Sequence, residues 1–370
     1  MATLLQASRL NIADSRLSAE LGELYIAQGR PRAALAAYRQ TVALDPGEDA
    51  YYIRLASLWQ SQAEFDQAEA TLLNGARHAV RVASIQAALA DLYLRQGRVQ
   101  DAKQLLDQAL VELGPEPALV MAMGAFHEAQ AGQGTAADNS AEEWYTDFLA
   151  QRPDNTAVRV ALGDHYLRRG KNDDAIAEYE RALALEPTAA GHYLVAAEAY
   201  VAANRLDDAE AALRQARLLE PALPDTYLAL AKLYRAQSRF DDARAIYQAG
   251  LAVAPTDGPL LVAYADFLFD RGEQEQAKQL LAQADQVAPT VAMLLARAQV
   301  YGRLAQNSDA LADLQAARQK EPGSLDVLLA LGDLYRAMGD NVNAQKAYAD
   351  ASKLSPGIAA GRVRLARVAQ

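Results

Sequence analysis

The sequence predicts an all-α protein, a solenoid that stacks one helix–turn–helix unit ten times. Three observations predict it. The phrase LGDHYLRRG at Leu162–Gly170 returns as LGDLYRAMG at Leu331–Gly339. Equivalents of Leu162 fall at Leu21, Leu55, Leu89, Met123, Ala196, Leu230, Tyr264, Arg297, Leu331 and Leu365, every step being 34 residues except one of 39 and one of 33. Within that period one position is alanine in all ten units, and glycine, aspartate and proline recur at fixed points. A fixed period of this length marks an array in which each unit packs mainly on its neighbours. It overrides the two or three domains that a length of 370 residues would otherwise suggest.

We number a unit 1 to 34, from Ser15, Asp49, Ala83, Pro117, Thr156, Ala190, Pro224, Gly258, Val291 and Leu325. The first helix carries glycine or alanine at position 8 in every unit. A large residue follows at position 11: tyrosine in seven units, and Trp59, His127 and Leu268 in the others. Glycine at position 15 (Gly29, Gly97, Gly170, Gly272, Gly339) predicts a left-handed end to that helix. Acids at positions 18 and 19 (Asp66, Asp101, Asp173, Asp174, Asp207, Asp208, Asp241, Asp242, Asp309) are expected to cap the second helix and complement its dipole. The invariant alanine is position 20, and position 27 is again small except at Phe148. Small residues at these points let two helices approach at the short end of the usual range of about 8–10 Å. Proline near position 32 ends the second helix at Pro46, Pro153, Pro187, Pro221, Pro255, Pro289, Pro322 and Pro356. The long step holds a five-residue insertion within AGQGTAADNS, Ala131–Ser140, read as a lengthened turn with a protruding contact loop as the alternative.

Small residues at 8, 20 and 27, an aromatic at 11 and proline at 32 together resemble the tetratricopeptide repeat family, over essentially the whole chain. The resemblance implies a right-handed α-solenoid of antiparallel helix pairs. It also implies that the first helices line a concave groove that holds a peptide or helix from a partner protein. The ten units span residues 15–358. Residues 1–14 read as the tail of a second helix, and 359–370 as the first helix of an eleventh unit. These ends are either half-unit caps or the marks of excision from a longer protein, and excision is the preferred reading.

The composition, 51% apolar and 22% charged, is that of an ordered protein. A net charge of −11 argues against a nucleic-acid surface, which neutralises phosphates with Lys and Arg. No stretch approaches the roughly 20 apolar residues of a membrane span, so insertion is not expected. Zero cysteines exclude disulfides and thiolate chemistry without fixing a compartment. A native Met1 would place the chain in the cytoplasm, and excision from an exported protein would admit the periplasm. The alanine-rich composition suggests a bacterial source.

No catalytic constellation, metal motif or cofactor motif is found, and none is expected to act here. His78, His127, His165 and His192 are scattered over four units, and His127 and His165 are read as packing residues. The paired acids recur at one structural position, which points to helix ends rather than to calcium or acid–base chemistry.

In this family the groove positions are chiefly 2, 5, 9, 12 and 13. Position 9 is acidic in Glu23, Asp91, Asp164, Glu198, Asp266 and Asp333, and basic in Lys232. Positions 12 and 13 bring Arg95, Arg168, Arg235, Arg303 and Arg336. Ile26, Met121, Val201, Leu228, Phe269 and Leu329 supply apolar patches. Asp91–Arg95 and Asp164–Arg168 have i, i+4 spacing, so they also fit simple surface pairs. Alanine at position 6 in seven units and acids at position 9 argue against the family's clamp for a C-terminal carboxylate. A basic or amphipathic protein segment fits better. The expectation is a non-enzymatic interaction scaffold capable of self-association. The alternative is a segment of a larger bacterial assembly, such as a polysaccharide-export or cell-envelope system, or of an enzyme whose catalytic domain lies elsewhere.

Overall fold

The computed structural model describes residues 14–27, 30–131, 140–287 and 289–354. The expected N-terminal half unit, most of the insertion and the eleventh first helix lie outside the described residues. Among those described, every regular element is an α-helix. The first ten helices are α1 (Ser15–Ala27), α2 (Pro31–Leu44), α3 (Asp49–Ser61), α4 (Phe65–His78), α5 (Val82–Arg95), α6 (Val99–Leu113), α7 (Pro117–Ala131), α8 (Ser140–Gln151), α9 (Thr156–Arg168) and α10 (Asn172–Leu185). They continue as α11 (Ala190–Ala202), α12 (Leu206–Leu219), α13 (Pro224–Ala236), α14 (Phe240–Val253), α15 (Gly258–Asp270), α16 (Gln274–Ala284), α17 (Val291–Arg303), α18 (Asn307–Lys320), α19 (Leu325–Ala337) and α20 (Asn341–Leu354). Odd helices are the first of a unit and even helices the second, so the ten-unit grammar is realised.

The chain divides into two compact bodies. Among the described residues, those within 14–24, 31–60 and 64–253 form one, and those within 25–30, 61–63 and 254–354 form the other. In each body the two helices of a unit pack together, as α9 does on α10 and α17 on α18. Second helices also pack on the next first helix, as α10 does on α11 and α18 on α19.

The invariant alanine explains that closeness. Ala34, Ala68, Ala102, Ala141, Ala175, Ala209, Ala243, Ala277, Ala310 and Ala344 are all at most 1% exposed, leaving no room for another methylene. Glycine at position 8 has a different partner. A Cβ on Gly22, Gly163 or Gly332 would stand within 2.6 Å of the ring of Tyr38, Tyr179 or Tyr348 at position 24 of the same unit. Glycine at 8 therefore goes with tyrosine at 24, while alanine at 8 faces leucine at 24 in Leu72, Leu106, Leu213, Leu281 and Leu314. Ala231 with Tyr247 departs from the rule.

In eight units the turn at position 15 is left-handed whether or not it holds glycine, and Gly29 lies outside the described residues. Gly97, Gly170, Gly272 and Gly339 have φ of 70–80°, and Ala63, Asn204, Ser238 and Ala305 adopt φ of 58–61° at the same place. A bond from the N–H of position 16 to the carbonyl of position 11 closes it, as in Arg98 N to Tyr93 O at 2.8 Å.

One expectation is corrected. The acids at positions 18 and 19 do not cap the second helices: the N-cap residues there are Arg98, Lys171 and Arg205, and their side chains make no cap bond. The aspartates lie inside the first turn, past the cap, where they still favour the dipole. Position 19 instead takes the arginine of position 16, in Arg98–Asp101, Arg205–Asp208 and Arg239–Asp242 at 2.7–2.8 Å. Side-chain caps occur on first helices, from Asn155, Asp257 and Thr290, and on the second helix α20 from Asp340 at position 16.

Candidate partner-binding groove

Within each body the first helices of successive units also pack side by side, as α5 does on α7, α9 on α11 and α15 on α17. No pair of second helices does so comparably among the described residues. Within each body the first helices thus form the tighter-spaced layer, and their outward residues make a strip.

The sequence-expected residues on that strip fall into local clusters. Asp91 on α5 and Met121 on α7 meet in a depression of about 240 Å³ floored by Ala87, Ala118, Ala122 and Ala125 and walled by Leu94. Every lining residue holds position 2, 5, 6, 9 or 12 of its unit. Small side chains on the floor create the space, because alanine leaves uncovered what leucine would fill. Asp91 pairs with Arg95 at 2.7 Å, but both are more than half exposed, and such a pair is worth about 0.3–0.5 kcal/mol.

Three of the expected acids answer to the fold itself. Tyr38, Tyr179 and Tyr348 donate to Glu23, Asp164 and Asp333 at 2.6–2.7 Å. These are the tyrosines that lie over glycine at position 8, so the acid at 9 receives the hydroxyl that the glycine lets through. Burial, then the carboxylate, pushes the Tyr179 and Tyr38 hydroxyls well above their ordinary value of 10.0. Glu23 also meets Arg54 at 3.5 Å, and Asp333 stands 3.9 Å from Arg336.

The expected Asp164–Arg168 pair is not the main one. Arg168 forks onto both oxygens of Glu128 at 2.6 Å, and His165 meets the same carboxylate at 2.9 Å. His165 is buried against Tyr145 and Tyr166, so packing is only part of its role. In the other body Asp266, Phe269 and Arg303 come together. Arg303 lies 4.5 Å over the Phe269 ring and pairs with Asp266 and Asp270. Leu329, expected on the strip, is buried instead. Glu198 and Lys232 are exposed, as are Ile26 and Val201, while Leu228 and Arg235 are half-buried.

Residues outside the expected set stand out too. Arg297 occupies a core position that is leucine in most units; it is 6% exposed and forks onto buried Asp313. Asp285 stands 2.8 Å away, and Tyr301 donates to the same carboxylate. Burial alone would depress the Arg297 guanidinium, yet Asp313 and Asp285 hold it above its ordinary value. Its signal was a charged residue in an apolar column. Among the described residues no three acids or histidines gather to hold a metal ion, and no helix is long and apolar enough to cross a membrane.

The arrangement defines a class: a solenoid of helix pairs offering a strip of first-helix side chains. The model of the cilia and flagella-associated protein 70 C-terminal domain matches residues 116–324, and tetratricopeptide models match 25–88, 60–118 and 295–357. The chain belongs to the tetratricopeptide repeat family. The chain is also similar to solved structures. Yeast Tom70 aligns over 96% of this chain and 95% of its own, at 13% identity and a TM-score of 0.47. The APC/C hetero-tetramer Cut9–Hcn1 aligns over 96% and 76%, at 15% identity and 0.47. MamA aligns over 41% and 89%, at 22% identity and 0.36. No curated protein matches the sequence.

Proposed function

We propose that the chain is a non-enzymatic interaction scaffold that holds an extended or helical segment of a partner protein along its first-helix strip. The observation that carries this reading is the alanine-floored depression between α5 and α7. It sits at the family's groove positions and is sized for one or two apolar side chains. The charge pattern refines the partner. Asp91 and Asp266 are paired with Arg95 and Arg303, and Asp164, Asp333 and Glu23 each accept a hydrogen bond from a tyrosine of the fold, so these acids already serve contacts within the chain. An amphipathic segment, anchored by a leucine, methionine or phenylalanine, therefore suits it better than a merely basic one.

The test substitutes exposed strip residues that the fold does not use: Ala125→Arg, Glu198→Lys and Lys232→Glu in one variant. Circular dichroism should match wild type. Pull-down from the source organism's extract should then recover a specific protein with wild type and lose it with the variant. Equal recovery by both moves the binding surface off this strip.

A further inference from the structure

On the opposite side of the units from that strip lies a second cleft with different chemistry. It is about 260 Å³ and sits between the second helices α2 and α4, with α3 beneath. Val42, Tyr52 and Leu55 make an apolar floor, and Arg39, Thr71 and Asn74 stand around it. Tyr52 sends its hydroxyl away to Pro46 O at 3.2 Å, so the floor there is ring rather than hydroxyl. Thr71 donates to Gln67 O at 2.7 Å, which leaves its oxygen as an acceptor.

Arg39 is the unusual member. In an acidic chain where arginine is commonly paired with carboxylate, Arg39 makes no ion pair among the described residues. Its guanidinium lies 4.9 Å over the Trp59 ring instead. Stacking orients the planar fork without using its in-plane donors. A guanidinium so held, at the edge of an apolar floor, recognises an anion whose charge sits beside a compact apolar group. The volume agrees, since an apolar cavity of about 150 Å³ already holds benzene.

We propose that this cleft binds a carboxylate attached to a small branched or cyclic apolar group. The carboxylate takes the Arg39 fork and the Asn74 amide, and the apolar group covers Val42, Tyr52 and Leu55. The site is independent of the partner-binding strip, and substitutions there leave it intact.

Trp59 supplies the readout. The chain has two tryptophans, so Trp144→Phe leaves Trp59 as the sole reporter. In that background 3-methylbutanoate should change Trp59 emission saturably, with a dissociation constant in the millimolar range. The uncharged 3-methylbutanamide at equal ionic strength should not. Arg39→Gln should weaken binding roughly tenfold or more, as expected for loss of a charge-assisted bidentate contact. Ala70→Phe, which fills the rim, should abolish binding with Arg39 still present. A short peptide ending in leucine separates two sources of the same chemistry. Tighter binding than the free acid, lost on C-terminal amidation, assigns the cleft to a chain terminus; weaker binding assigns it to a free small acid. No saturable response to acid or peptide, or an equal response in Arg39→Gln, overturns the proposal.

Discussion

Two kinds of junction hold the units together, and their contrast explains how a single repeat can be stabilised by opposite means. In the first body a glutamate at position 21 receives the tyrosine of position 11 and the cation of position 16 from the next unit. Glu69 takes Tyr93 and Arg98, Glu142 takes Tyr166 and Lys171, and Glu210 takes Tyr234 and Arg239, all at 2.7–3.0 Å. Arg98 and Arg239 also lie 4.0–4.1 Å over their tyrosine rings. These staples sit at the surface and recur at every second junction. In the second body the junction of α16 with α17 has Lys278 at position 21 and Gln306 at position 16, so no staple forms there. Tyr301 turns to Asp285, and the charge moves inside as Arg297, which reaches Asp285 across the junction and Asp313 within its own unit. A surface staple adds to a core that already closes. An internal pair replaces part of the core and must be complete to be tolerated.

The internal pair should give the largest effect. Arg297→Leu strands Asp313 in the core and should destabilise α17–α18 by about 3–5 kcal/mol, read by hydrogen exchange of those helices. The double change Arg297→Leu/Asp313→Leu should restore the loss or exceed wild type. If the single change is as stable as the double, the pair is not the organising feature of that unit.

A contact common to both bodies serves as a standard. Gly163→Ala and Gly332→Ala drive a methyl into Tyr179 and Tyr348 and should each cost about 1–3 kcal/mol by urea denaturation. A large difference between them would show that the two bodies do not share one intra-unit packing.

The staples should give less, and with a pH signature. Burial opposes ionisation of Glu69, Glu142 and Glu210, but their hydrogen bonds win, and each lies below its ordinary value of 4.5. A carboxylate depressed in the folded state stabilises fully above 4.5 and loses that contribution as pH falls below it. Glu210→Gln should therefore cost about 1–2 kcal/mol at pH 7 and progressively less below pH 4.5. A cost independent of pH would mean that the ionised form is not what the staple uses.

The smallest effect concerns the turns. Ala305 holds with a methyl the conformation that Gly97 holds without one. Ala305→Gly should stabilise by about 0.5–1 kcal/mol and Gly97→Ala should destabilise by a similar amount, measured as paired shifts in melting temperature.

Period and small-residue spacing made the fold legible, because ten copies of one packing solution leave ten copies of its constraints. Ala34 and Ala344 occupy the same buried slot 310 residues apart. The groove acids were legible as a column but not as a role. Asp164 and Asp333 recur beside glycine because a tyrosine reaches over that glycine, a relation spanning 15 residues that a search along one helix face does not see. The staples were hidden for a similar reason. Their partners lie 24–29 residues apart and skip alternate units, so a 34-residue average erases them. Arg297 was visible in its column as the one charged residue, but its partner Asp313 belongs to another helix.

The central claim, that a partner protein lies along the first-helix strip, is tested most directly by placing a photo-crosslinking residue at Ala125 or Glu198 in the source cells. Val111 and Leu218, which are 87% and 73% exposed on second helices, serve as the comparison. The account predicts that one protein crosslinks from both strip positions and from neither outer position. Crosslinks from Val111 or Leu218 with none from Ala125 and Glu198 would contradict it.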